Sequence, residues 1–109
     1  MIAAISIAPS GPASDPTVEA DEPGSYHRAV AAVVRVIRAS GLPNETTSMF
    51  TSIEGEWDEV MAVVKAAVEE AGRYGSRVSL VLKADIRPGH TGELEGKVAR
   101  VEQHLGDTQ

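Results

Sequence analysis

The chain contains no cysteine, which excludes disulfides, thiolate nucleophiles and cysteine-ligated zinc. Aromatic residues make up only 4% of it, so the core must be built from Val, Ala, Ile and Leu, and a core this thin in large side chains often gains stability by oligomerising. Basic charge is also short. Ten Lys and Arg stand against 16 Asp and Glu, a formal net charge of -6, which argues against nucleic-acid or anionic-membrane partners and suits cationic ligands better. No segment approaches the roughly 20 apolar residues of a membrane helix. The opening MIAAISIAP has no basic n-region, and its apolar run is too short for a signal peptide; a cytoplasmic location is expected.

Catalytic and metal-binding patterns are equally sparse. His27, His90 and His104 are scattered, with no i, i+4 metal pair and no Ser-His-Asp set. Neither G-x-G-x-x-G nor G-x-x-x-x-G-K-[ST] follows a strand, which removes the usual nucleotide cradles. The sequence therefore reads as a non-enzyme with no catalytic residue, metal site or cofactor.

What remains is a 109-residue chain with an ordinary 42% hydrophobic and 24% charged content, fitting a single domain over 1–109. IAAISIA, residues 2–8, is a short apolar run that Pro9 ends, the mark of a buried strand. Residues 9–24 hold Pro9, Pro12, Pro16 and Pro23 among four acids; this composition predicts a flexible surface loop, either a tolerated insertion or a lid. Ser25 is placed to cap a helix from Tyr26 to Ser40, with Val30, Val33, Val34 and Ile37 on one stripe and Gly41 as its stop. NETTSM and TSIEG, 44–49 and 51–55, read as two short strands. A second helix starts near Glu56 or Trp57 and runs to Ala71. RVSLVLKADIR, 77–87, alternates cleanly as a strand. Leu94, Val98, Val101 and Leu105 give a trailing amphipathic helix.

The order predicts an α+β fold, a ferredoxin-like βαββαβ sandwich with an extra C-terminal helix. If the helices cover one sheet face, the other carries Ser79, Val81, Lys83, Asp85 and Arg87, with Ser6 from the first strand and Ser52 and Glu54 from the third. Such a face suits a subunit interface with a polar pocket, or plain solvation. In MFTSIEGEWDEVM, residues 49–61, Glu56 and Glu59 read as helix-dipole residues. Glu54 lies in the strand and needs a partner, either Lys83 or Arg87 or a bound cation.

That block resembles the M-G-T-x-I-E-G-E-W-D-E-V-M signature of the small thiamine-binding family, the single-domain relatives of the YkoF protein. VVRVIRASGL, RVSLVLKADIRPG and LEGKVARVEQHLG resemble the family's first helix, last strand and closing helix. The resemblance implies ferredoxin-like sheets packing in a homodimer or homotetramer, and binding of thiamine or its hydroxymethylpyrimidine moiety without reaction. It marks Phe50, Thr51, Glu54, Asp85 and Arg87 as ligand-binding positions: Glu54 or Asp85 would counter the thiazolium charge or accept from the aminopyrimidine, and Thr51 would supply a hydroxyl. Phe50 stands where the family has Gly, and would either stack on a ring or fill the pocket. The alternative function is a structural or regulatory oligomerisation module without a small-molecule ligand. An acylphosphatase-like use of Arg87 would need a glycine-rich amide cradle, and no such loop is present.

Overall fold

In the computed structural model, residues 1–19, 21 and 26–107 are described. Strict alternation makes the two long strands. β1 (Ile2–Ser10) buries Ala3, Ile5, Ile7 and Pro9 and half-buries the residues between them, the period of a strand with one face on a core. It is followed by α1 (His27–Ala39), β2 (Asn44–Thr46), β3 (Thr51–Glu54), α2 (Trp57–Ala71), β4 (Arg77–Asp85) and α3 (Glu93–Asp107). The strands form one antiparallel sheet in the order β2-β3-β1-β4. This is the expected α+β, ferredoxin-like arrangement, with β1 and β3 central.

The core lies between one sheet face and α1 and α2. Ala3, Ile5, Ile7 and Ile53 meet Val33 and Ile37 of α1 and Val60, Val64, Ala67 and Ala71 of α2. Ile37, Ile53 and Val60 are fully buried, each contributing about 1.5–3 kcal/mol of hydrophobic stabilisation. Small side chains let the layers approach closely. A Cβ on Gly75 would stand 2.6 Å from the Ser10 carbonyl oxygen, so only glycine fits where the α2–β4 connection crosses the end of β1.

β1 runs to Ser10, two residues beyond the expected strand 2–8, because Pro9 faces no strand on its N–H side. The Met1 amino group donates to the Gly55 carbonyl at 2.8 Å and the Gly55 N–H donates to the Met1 carbonyl at 3.1 Å. Antiparallel ladders alternate, so Met1, Ala3, Ile5, Ile7 and Pro9 turn their main-chain groups towards β3, and the even-numbered residues turn theirs towards β4. β3 pairs with β1 only from Ile2 to Ile5, while β4 continues to Ser10. Pro9 therefore sits at an open edge, where its missing N–H costs no ladder bond.

The other boundaries also move. The expected strand 44–49 ends at Thr46, since residues 47–50 form a tight turn in which the Thr47 N–H donates to the Phe50 carbonyl at 2.8 Å. The last strand ends at Asp85, before the Pro88–Gly89 turn. Ser25 lies outside the described residues. Among the described residues, Asp21 caps the α1 N-terminus: its carboxylate accepts the N–H of Arg28 at 2.9 Å and of Ala29 at 3.1 Å. Burial would raise the Asp21 pKa, but these two amide donors outweigh it and hold the carboxyl below its usual range. At the far end Gly41 takes φ +78°, the left-handed stop expected of it.

The described part of the 9–24 segment is attached to the end of α2. Ser14 donates its hydroxyl to the Gly72 carbonyl, the Asp15 N–H donates to the Arg73 carbonyl at 3.2 Å, and Arg73 Nε donates to Asp15 Oδ2 at 2.8 Å. Thr17 and then Arg73 hold the Asp15 carboxyl down to about 2.

Candidate functional site

β3 distributes its side chains by the two-residue period. Thr51 pairs with Ile5 and Ile53 with Ala3, which puts both on the helix-facing side; Ser52 and Glu54 take the opposite side. The five residues expected at the site are therefore divided. Phe50 and Thr51 share one cleft. Glu54 and Asp85 lie on the outer face, flanking Ile2 in register from either side, roughly 10 Å apart at two strand spacings. Arg87 is exposed beyond β4, beside Trp57 and Met1.

Both outer-face carboxylates are met by α3. Glu54, 7% exposed, accepts the N–H of Glu93 at 2.7 Å. This is the first residue of α3, where unpaired amides and the helix dipole favour an anion. Asp85 pairs with Lys97 one helical turn on. The partner of Glu54 is thus a helix end, not Lys83 or Arg87. Arg100 donates to Glu93 at 2.8 Å and holds the Glu93 carboxyl below its usual range, with His90 on its other side. Beyond these anchors, the groove between α3 and the sheet is lined by charges of both signs, Glu45, Lys83, Asp85 and Lys97.

The cleft holding Phe50 and Thr51 has a different chemistry. It opens where β3 turns away from β1, between the 47–50 turn, the free length of β1 and α1, and encloses about 330 Å³. Val30, Val33 and Val34 of α1 wall one side, Tyr26 and Phe50 bring the aromatic surface, and no charged side chain lines it among the described residues. A small, mainly apolar cleft with a few polar groups is the usual build of a small-molecule site. Phe50 is 38% exposed and stands at the rim, so it lines the space rather than filling it. The Thr47 hydroxyl is committed to the turn, donating to the Phe50 carbonyl at 3.0 Å and accepting the Phe50 N–H at 3.3 Å. Thr51 is buried, and its hydroxyl makes no hydrogen bond to a described residue. Together these groups suit a flat, neutral ring with hydrogen-bonding edges.

Sequence reasoning missed Tyr26 and the β1 edge. Tyr26 was placed as a helix residue, and only its position at the mouth of the cleft brings it beside the 47–50 turn. The β1 edge had a signal in Pro9, which belongs in a strand only where one side is unpaired. Among the described residues no group of three His, Asp or Glu could hold a metal ion, and no helix is long and apolar enough to cross a membrane.

Comparison with known proteins agrees with the architecture. The chain is 54% identical over 77 residues to a UPF0045 protein of Mycobacterium bovis, covering 70% of this chain and 76% of that one, and matches a Mycobacterium tuberculosis counterpart equally. A hypothetical protein of Methanocaldococcus jannascii superposes with a TM-score of 0.76 at 27% identity, over 93% of this chain and 94% of that one. A Thermotoga maritima protein described as a candidate thiamine biosynthesis/salvage protein shares the fold, with a TM-score of 0.69 at 23% identity over 90% and 96% of the two chains. The profile of the family described as thiamine-binding protein matches residues 3–102, and the chain belongs to that family.

Proposed function

We propose that this protein binds thiamine, or its hydroxymethylpyrimidine moiety, in the cleft between the 47–50 turn and α1, without catalysing a reaction. The observation that carries the reading is the position of Thr51. The family signature puts this residue in the chain, and the fold buries it in an uncharged cleft beside Phe50 and Tyr26. Phe50 and Thr51 are the ligand contacts, the ring of Phe50 stacking on the pyrimidine and the Thr51 hydroxyl bonding its edge. The thiazolium would lie towards the mouth, and the net charge of -6 over the whole chain favours a cationic ligand. Glu54 and Asp85 hold α3, and Arg87 lies away from the cleft.

The acting form is a cytoplasmic homodimer or homotetramer. Val98, Val101 and Leu105 of α3 and Val81 of β4 are each more than half exposed, an apolar surface that a second copy would cover. The alternative, an oligomerisation module whose pocket Phe50 has closed, is less well supported, because about 330 Å³ remains beside that ring.

Calorimetric titration with thiamine and with hydroxymethylpyrimidine tests the reading. Saturable heat and a rise in melting temperature are expected, since ligand at a hundredfold its Kd stabilises by roughly 2.7 kcal/mol. Absence of both at millimolar ligand would refute it.

A further inference from the structure

The cleft contains a polar pair that belongs to no side chain. By the alternation fixed at Met1 and Gly55, Ile7 turns both its N–H and its C=O away from β4, to the side where β3 would lie. β3 stops pairing at Thr51, opposite Ile5. The residue that would face Ile7 in register is Met49, which lies in the 47–50 turn and is 72% exposed. The Phe50 carbonyl already accepts from Thr47. No described residue hydrogen bonds the outward N–H or C=O of Ile7, yet Ile7 is only 9% exposed and lines the cleft. Buried main-chain groups are nearly always paired, so the cleft presents one donor and one acceptor awaiting a partner. Pro9, next on the same edge, offers no N–H, so the donor is confined to a single residue.

We propose that the Ile7 N–H and C=O form the recognition edge of this site, reading a 4-aminopyrimidine by two parallel hydrogen bonds. An extended residue points its N–H and C=O to the same side, and a 4-aminopyrimidine carries a ring-nitrogen acceptor beside an exocyclic amino donor. The ring nitrogen accepts the Ile7 N–H, and the amino group donates to the Ile7 carbonyl. Thr51, paired with Ile5 at the end of β3, is left for another polar edge of the ring. The inference rests on the binding reading above but adds a specificity that the side chains do not provide, since hydroxyls donate and accept alike. It selects the amino form of the ring over the 4-oxo form, in which donor and acceptor exchange places.

The test uses the intact, ¹⁵N-labelled protein with 4-amino-5-hydroxymethyl-2-methylpyrimidine, its 4-oxo analogue and thiamine. The aminopyrimidine and thiamine should both move the Ile7 amide resonance and slow its hydrogen exchange, while the Ser6 and Ala8 amides, bonded to β4, change little. The 4-oxo analogue should bind about 100-fold more weakly, because it would leave two main-chain groups mismatched. Binding of the aminopyrimidine with an unmoved Ile7 amide, or with equal affinity for the analogue, overturns this inference and leaves the binding reading intact. No heat from either the aminopyrimidine or thiamine overturns both.

Discussion

Glu54 accepts a hydrogen bond from the main-chain N–H of Glu93 at 2.7 Å, across 39 residues of sequence. A carboxylate that would be a liability in a half-buried strand thereby becomes the seat of α3. Replacing Glu54 by Ala should cost about 1–2 kcal/mol, the range of a lost helix cap and an unpaired amide. Hydrogen exchange in the first turn of α3 should quicken, and thermal unfolding should shift down. Affinity for hydroxymethylpyrimidine should stay within about twofold, because Glu54 and Thr51 project from opposite faces of β3; a large loss of affinity would place Glu54 in the ligand site instead.

Phe50 and Thr51 carry the opposite expectation. Phe50→Ala should weaken pyrimidine binding by roughly two- to tenfold, from the loss of about 0.5–1.5 kcal/mol of ring stacking. Thr51→Val should weaken it by a similar factor with a melting temperature unchanged within a degree or two. Isothermal titration of both variants checks this. Tighter binding by Phe50→Ala or Phe50→Gly would mean that the ring obstructs the cleft.

The attachment of the 9–24 segment to α2 predicts a pH dependence of definite sign. The Asp15 carboxyl is depressed to about 2 by Thr17 and Arg73 from an ordinary 3.8. A group with a lowered folded-state pKa contributes its stability above the unfolded value and loses it as protons return. The stability difference between the wild type and Asp15→Asn should therefore be constant above about pH 4 and shrink as the pH falls towards about 2. Chemical unfolding at a series of pH values measures it; a difference that grows on acidification contradicts the assignment.

Gly75→Ala should destabilise by about 1–3 kcal/mol through overpacking, because the added methyl meets the main chain of Ser10 at 2.6 Å and 2.8 Å. Urea unfolding should show a lower midpoint with an unchanged slope. Gly89→Ala offers a contrast: its Cβ would meet nothing within 4 Å, so only its φ of +80° resists the change.

The elements themselves were legible in the sequence, because Ile5, Ile7, Val33, Ile37, Val60 and Val64 repeat at the periods their elements require. Strand ends were less so. Pro9 reads locally as a stop, and only the shortness of β3 makes it harmless. Phe50, Thr51, Glu54, Asp85 and Arg87 were marked as site positions by family motifs. Glu54 was also read as needing a partner, because a charge in a strand demands one; the helix start that meets it lies 39 residues away and is brought there by tertiary packing, while Asp85 meets Lys97. Ile7 could not have been found by its letter: as a side chain it is core, and its importance lies in main-chain atoms that every residue shares.

A nine-residue strand beside a four-residue one has a consequence for how such a pocket can change. The site is a gap in a ladder, and its size is set by where the 47–50 turn falls. Two residues inserted there would let β3 continue to Ile7, restoring the missing pair of hydrogen bonds and zipping the cavity shut without altering one core side chain. Turn length thus acts as a gauge for the ligand, adjustable without repacking the core.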